Sequence, residues 1–422
     1  MLSEVEKAEE TEANAKVTQA ELEEACKGLQ FEKSILSKLD AEIKATDFAG
    51  STEVPQLVFL TMYTRFLDKP VSLLIKGPSG SGKSHALNAG IEFVPADASE
   101  IYHGMSEKAL IYNADLNLRH RYLIIQEAAG LNKGDGRVFL RQLLSEGVVR
   151  YATVQATADG LIGKDLPPLE GPTGLIMTTT ANELHPEDES RMLSIHIDES
   201  RERTQAILAR IAAGGKKSRP KLDVTRWHAL HNLIALGPLE VEIPYAEKLA
   251  TGLPVDHFRI GRDFPQVLSL IKAHALMHKF TRERTADGAV IATAEDYSAV
   301  HTLVEKYLAE GLEAAVPDRI RTVVEAVSEL IGSRKEPQAW GQPTVNQIEI
   351  AQKIGRHQSV ASRNVAAAIE SGYLTNETPG QGREASIGVG KKKLPNGRVL
   401  LPPADLAAEL AAEEEVAELL AQ

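Results

Sequence analysis

Cysteine is all but missing: Cys26 stands alone in 422 residues. One thiol excludes an internal disulfide and any multi-cysteine zinc module, and it fits a reducing compartment. Long apolar runs are missing too. No window holds the roughly 18 uninterrupted apolar residues of a membrane-spanning helix, and Met1-Leu2-Ser3-Glu4-Val5-Glu6-Lys7 has neither the basic start nor the apolar stretch of a secretory leader. Secretion and membrane partners are therefore not expected, and the expected address is cytoplasmic. Basic charge is not in excess either: 47 Lys and Arg face 59 Asp and Glu, a net charge of -12. That argues against a chain that coats nucleic acid uniformly, although a global sum can hide a local basic surface.

What is present is enough chain for two or three domains with a substantial core. Apolar runs alternate with helical patterns, as in a parallel sheet covered by helices on both faces, which makes the expected fold class α/β. The clearest strands are Val71 to Lys76, Tyr122 to Gln126 and Gly174 to Thr178. From about Ser200 the pattern turns to amphipathic helices, including Gln205 to Ala213 and Phe264 to Phe280. The expected division is an acidic helical arm over 1–45, a sheet-bearing core over 46–200 and a helical subdomain, read as a lid, over 201–316. A reader domain over 317–403 and an acidic tail over 404–422 complete it. The arm carries eight glutamates against three lysines within its first 30 residues, and the tail six acids and no base. Both read as solvated segments or short helices, with a partner-binding helix as the alternative for the arm.

Directly after the strand Val71-Ser72-Leu73-Leu74-Ile75 comes Gly77-Pro78-Ser79-Gly80-Ser81-Gly82-Lys83-Ser84. Glycines let such a loop turn without Cβ clashes, so that successive backbone N–H groups surround phosphates at a helix start. Lys83 is then expected to reach the β and γ phosphates of ATP, and Ser84 to supply a hydroxyl to Mg²⁺. ATP is expected over GTP because no guanine-reading motif is apparent.

Hydrolysis needs an acid at the end of a neighbouring strand, and Tyr122-Leu123-Ile124-Ile125-Gln126-Glu127 has the right apolar run. Glu127 is the candidate for polarising the attacking water. The aspartate usual before it is Gln126, which can accept a hydrogen bond from a magnesium-bound water but cannot neutralise the ion. Farther on, Gly174-Leu175-Ile176-Met177-Thr178 ends in Thr179-Thr180-Ala181-Asn182. Asn182 is the first choice for sensing the γ phosphate, Thr179 or Thr180 the alternatives, and a plain strand-end turn the bland reading. His228 and His231 share a helical spacing, but no third ligand accompanies them, so no metal site is expected there.

The order of phosphate loop, acidic strand, polar strand end, arginine and helical region resembles the AAA+ ATPases. More narrowly, about 30–310 is similar to the ATPase module of replication proteins and primase-helicases of phages and mobile elements. The stretches that carry this are Lys76 to Ser84, Lys108-Ala109-Leu110-Ile111-Tyr112, Ile125 to Leu131, Leu143-Leu144-Ser145-Glu146-Gly147 and Glu170-Gly171-Pro172-Thr173-Gly174. The resemblance implies a homo-oligomeric ring in which Arg191, just before a strand, meets the neighbouring subunit's γ phosphate; a surface ion pair is the alternative. It also implies that Arg262, beside the possible N-cap Asp263, touches the nucleotide. The layout from Glu146 to Asn182 is similar to minichromosome maintenance helicases, where a β-hairpin projects into the channel. Val148 to Gln155 would form one arm, and Lys164 is either a DNA contact or an ordinary exposed lysine.

At the C-terminal end, Thr344 to Gly355 reads as a helix ending at glycine, and Ser359 as the cap of a second helix through Glu370. Two strand-like pieces around Pro379 to Glu384 follow, and the whole resembles a winged helix-turn-helix. Over Thr344 to Leu401, eight Lys or Arg face four acids. That excess suits phosphate contacts from Arg356, Arg383, Lys391, Lys392 and Lys393, with Ser362, Arg363 and Asn364 as groove contacts. A protein-docking role is the alternative to DNA.

Two functions from different classes follow. One is an ATP-driven DNA replication motor of a mobile element, with any priming supplied by a separate primase, since one cysteine and a short arm leave no place for a primase. The other is an ATP-switched DNA-binding regulator or helicase loader with little turnover, which Gln126 makes credible. An ATPase subunit for transposition or defence is a weaker third.

Overall fold

The computed structural model describes residues 18–421, apart from 47, 105, 107–108, 114–115, 128–133, 158–159, 181–188, 198–200, 213–221, 258, 335–342, 379–384 and 396. These residues form two compact units. One holds the described residues up to Leu253, with Ile260–Tyr307 and those from Leu400 onward; the other holds Pro254–Arg259 and Leu308–Val399. Most of the segment expected as a separate lid thus belongs to the same unit as the sheet.

In the first unit, α1 (Ile35–Ala45) and α2 (Glu53–Tyr63) precede β1 (Leu73–Lys76), and α3 (Lys83–Ile91) follows the phosphate loop. Then come β2 (Ser99–Tyr102), β3 (Arg121–Gln126) and α4 (Gly134–Glu146). The short strands β4 (Val148–Val149), β5 (Ala152–Thr157), β6 (Gly160–Asp165) and β7 (Leu169–Glu170) lead to β8 (Thr173–Thr179) and β9 (Leu193–His196). Five strands make one parallel sheet in the order β2-β3-β8-β1-β9. β8 therefore separates β1 from β3, and the acid-bearing strand is not the direct neighbour expected of it. All of β1 and β8 is buried, which is why both read as near-continuous apolar or small-residue runs.

Alternation along β3 sets its two faces. Leu123 and Ile125 join Leu175 and Met177 in a cluster with Phe139, Leu140 and Leu143 of α4. Tyr122 turns to the opposite face, where its hydroxyl lies 2.7 Å from the carbonyl oxygen of Val71 and 2.8 Å from that of Thr61 in α2. Gly174 makes room for that ring: a Cβ there would sit 2.1 Å from a Tyr122 ring carbon. Gly174→Ala is therefore expected to cost about 1–3 kcal/mol or more by overpacking, visible as a lower urea midpoint. An unchanged midpoint would mean that the ring can move aside.

The expected hairpin is present. β4 and β7 pair at its base, and β5 and β6 form its antiparallel arm with Lys164 opposite Thr153. Val149 and Leu169 are buried in the sheet's core cluster and anchor the base. The arm stands in solvent, with Val154, Leu161 and Ile162 all more than half exposed.

Helices α5 (Arg201–Ala212), α6 (Thr225–Ile234) and α7 (Ile260–Met277) come next. α7 begins before Asp263, so Asp263 and Arg262 lie in its opening turns rather than ahead of it. Pro265 removes one backbone donor from the helix, an effect felt only in its early turns. His231 of α6 is fully buried between Tyr63 and Phe66, and neither ring nitrogen has a hydrogen-bond partner among the described residues. Burial first, then the charges of Arg65 and His228, holds its pKa well below the usual histidine value. Burial, then His274, pushes His278 down to about 3.

Both histidines are neutral in the fold and gain protons on unfolding once the pH drops below about 6.5. Their stabilisation is complete above that value and declines as pH falls toward the folded-state pKa. Each is expected to cost about 1.4 kcal/mol per pH unit, so urea unfolding at pH 5.0 should show several kcal/mol less stability than at pH 7.5. His231→Phe should remove roughly half of that dependence; an unaltered slope would exclude His231 as its source.

The acidic C-terminal segment forms helix α11 (Pro403–Ala421). In the second unit, α8 (Asp318–Gly332), α9 (Gln347–Lys353) and α10 (Gln358–Glu370) are followed by the antiparallel pair β10 (Leu374–Asn376) and β11 (Ile387–Val389). Val345 bridges onto Ile387 as a minimal third strand. Val323, Val327, Ile350, Val365, Ala368, Leu374 and Ile387 share its core. Asn346 and Glu349 cap α9 reciprocally, and Gly355 closes it at a φ of 63°. α10 starts two residues earlier than expected, with His357 rather than Ser359 as its cap. The side chain of His357, not Ser359, accepts from a first-turn amide, because the imidazole reaches the Ser359 N–H.

Candidate nucleotide site

The phosphate loop leaves β1 and turns at Gly80 and Gly82, whose φ values of 81° and 83° are left-handed and favour glycine. α3 begins at Lys83, which is buried. Its Nζ donates to the carbonyl oxygens of Gly77 and Pro78, each at 2.7 Å, which holds the ammonium against the loop. Behind the loop, the buried Lys76 pairs with Glu189 at 2.6 Å, and Ser194 Oγ donates to the same carboxylate oxygen.

A cavity of about 390 Å³ opens at the carboxyl ends of the strands. This is where open parallel sheets receive ligands. Ser79, Gly80, Gly82, Lys83 and Ser84 line one side, and Gln126, Glu127, Thr179 and Thr180 the other. Glu127 sits at a φ of 78°, a conformation that non-glycine residues adopt at a cost and that clusters at functional sites. Its backbone N–H donates to Thr178 Oγ1 at 3.2 Å, which fixes the turn out of β3. Gln126 Nε2 donates to Asn88 Oδ1 at 3.0 Å, and its Oε1 lies 3.2 Å from His103 Nδ1. His103 also lines the cavity. No spacing rule pointed to it, because it enters only through the pairing of β2 with β3.

Asn182 lies outside the described residues; Thr179 and Thr180 are the sensor candidates that line the cavity. The two arginines are elsewhere. Arg191 precedes β9, and with Arg262 it lines a second cavity beside Ser72 and Thr173, at the amino ends of the strands. Arg191 donates to Ser145 Oγ and Arg262 to Ser190 Oγ. Arg262 is thus not brought to the phosphate loop of its own chain, contrary to expectation: α7 delivers it to the opposite end of the sheet. Among the described residues no group of three or more His, Cys, Asp or Glu could hold a metal ion.

In the second unit, Arg356, Arg363, Lys391 and Lys393 are exposed, and Ser362, Asn364 and Lys392 half-buried. Lys392 Nζ lies 4.6 Å from the centre of the Tyr373 ring. Arg383 lies outside the described residues. Among the described residues, no helix is long and apolar enough to cross a membrane.

A glycine-turned loop between a buried parallel strand and a helix led by lysine and serine, facing a strand-end glutamate, defines a P-loop NTPase domain. The comparison with protein families agrees: the model described as the MTBMA_p00010 P-loop domain matches residues 23–223. No curated protein matches the chain.

Proposed function

We propose that the protein is an ATP-hydrolysing DNA motor of a replication system such as those of phages and mobile elements, working as a ring of identical subunits. The observation that carries this reading is the division of one chemical site between two ends of the sheet. The phosphate loop, Ser84, Gln126, Glu127 and the threonines share one cavity, whereas Arg191 lies at the amino ends with Arg262. A four-residue parallel strand spans about 13 Å, so an arginine placed there serves a phosphate held by a second copy. Arg262 is reassigned to that same neighbour-facing role.

At the cavity, the loop amides and Lys83 would take the charge of the β and γ phosphates, and Glu127 would accept a proton from the attacking water. Ser84 and Gln126 offer neutral oxygen donors, which suit Mg²⁺ with most of its waters retained; bound there, the ion would neutralise phosphate charge. The exposed β5–β6 arm with Lys164, and the α9–α10 pair with its following hairpin, read as a winged helix, are the elements that would engage DNA. Arg356, Arg363, Arg383 and Lys391–Lys393 would meet phosphates, and Ser362 and Asn364 a groove.

The switch alternative rests on Gln126, whose neutral amide leaves the site one negative charge short. Steady-state ATP hydrolysis without DNA, with single strands and with duplex separates the two, with Lys83→Ala as the contamination control. DNA-stimulated turnover lost in Lys83→Ala is the expected result. Tight ATP binding with negligible turnover on every DNA would refute the motor and favour a switch or loader.

A further inference from the structure

Just before β9, three consecutive residues fasten three different elements: Glu189 meets Lys76 of β1, Ser190 meets Arg262 of α7, and Arg191 meets Ser145 of α4. The Glu189 carbonyl oxygen accepts the Met192 N–H at 3.0 Å, closing a turn that carries Ser190 and Arg191 at its corner. The far side of that turn is fixed by the sheet, because Met192 is buried in the core cluster and Leu193 donates its N–H to the Ser72 carbonyl oxygen. The near side is held by the Glu189 side chain. One of its carboxylate oxygens takes both Lys76 Nζ at 2.6 Å and Ser194 Oγ at 3.0 Å, with Lys76 buried and Glu189 only 18% exposed. Both arginines of the amino-end cavity meet this turn, Arg191 as a member and Arg262 through Ser190 Oγ.

Lys76 is the last residue of β1 and directly precedes the phosphate loop, whereas Leu193 pairs with Leu73, so Arg191 lies at the other end of the strands. The ion pair therefore ties the arginine-bearing turn to the opposite end of the sheet. A buried ion pair gains little stability over apolar side chains of the same volume, because desolvation offsets the attraction. What this one adds is a fixed geometry. Resting on the reading of Arg191 as a residue that serves a second copy, we infer that Lys76 and Glu189 are positioning residues for Arg191. Their pair holds the turn so that the guanidinium is presented to the phosphate of the neighbouring subunit. Breaking it consequently damages the neighbour's site rather than the chain's own, even though Lys76 adjoins its own phosphate loop.

The test uses the full chain with Lys76→Met and Glu189→Leu together, which removes both charges and leaves neither unpaired. ATP turnover should fall about 10²-fold, as misplacement of a reacting group by an ångström does, while a non-hydrolysable ATP analogue binds within about threefold of wild type. Mixed with Glu127→Gln chains, the double variant should regain turnover, because its own site is intact and its neighbour supplies an ordered arginine. Adding Arg191→Ala to the double variant should lower turnover no further than Arg191→Ala does alone, since both changes act through one group. Glu189→Gln keeps the side-chain shape and an acceptor for Ser194, and it should give the same recoverable loss at smaller size if the double variant does not fold. Wild-type turnover in whichever variant folds would overturn the inference. So would a loss of analogue affinity or a turnover defect that mixing does not restore, either of which would assign the pair to its own phosphate loop. If Arg191→Ala chains also fail to recover with Glu127→Gln chains, the reading of Arg191 as a residue acting on a second copy falls with it.

Discussion

Arg191→Ala is expected to lower ATP turnover about 10³-fold or more while changing nucleotide affinity by no more than about threefold. Affinity should survive because Arg191 lines a cavity at the amino ends of the strands, while its own phosphate loop opens at their carboxyl ends. Turnover should fail because a guanidinium that neutralises charge on the transferring phosphoryl group acts in the transition state and contributes little to ground-state binding. Arg191→Lys should rescue only in part, since an ammonium cannot present the same planar fork. Subunit mixing supplies the decisive readout. Arg191→Ala chains mixed with Glu127→Gln chains should regain activity wherever an intact glutamate and an intact arginine meet across an interface. No recovery in mixtures, or a loss of nucleotide affinity in Arg191→Ala alone, would sink the trans assignment.

Glu127→Gln carries the second large effect: about 10²–10⁴-fold slower hydrolysis with nucleotide still bound, as expected when a general base loses its proton acceptor. Its contrast is Lys83→Ala, in which binding itself should fail, because Lys83 belongs to the loop rather than to the attacking side. The isosteric amide preserves the shape of the turn that Thr178 holds. Thr178→Val should therefore lower turnover in the same direction, through misplacement of Glu127. Equal turnover in Glu127→Gln and wild type would remove Glu127 from the chemistry and direct attention to another acid near the cavity.

The mixture of success and failure in reading the chain has physical causes. Gly77 to Ser84 and the strand before it were legible because the chemistry is local: phosphate capture by backbone needs glycines, a lysine and a hydroxyl in one short run. The β5–β6 hairpin was legible because its pairing partners are close in sequence. Arg262 was misplaced because its position depends on where α7 begins and on how that helix meets the sheet, neither of which follows from the residues around it. His103 went unseen for a related reason. It matters only because β2 lies beside β3, a neighbour relation formed across a long connection.

By itself the sequence determined the class of chemistry, an α/β chain with a phosphate-binding loop and a strand-end glutamate, because periodicity and short-range turn requirements are written residue by residue. Only the tertiary structure decided that β8 lies between the phosphate-loop strand and the acid-bearing strand. It also decided that Glu127 takes a left-handed backbone against Thr178, and that Arg191 and Arg262 gather at the amino ends while Gln126 and His103 meet at the carboxyl ends. Strand order and helix placement are settled by the burial of whole faces against one another, a free energy summed over distant residues that no local pattern records.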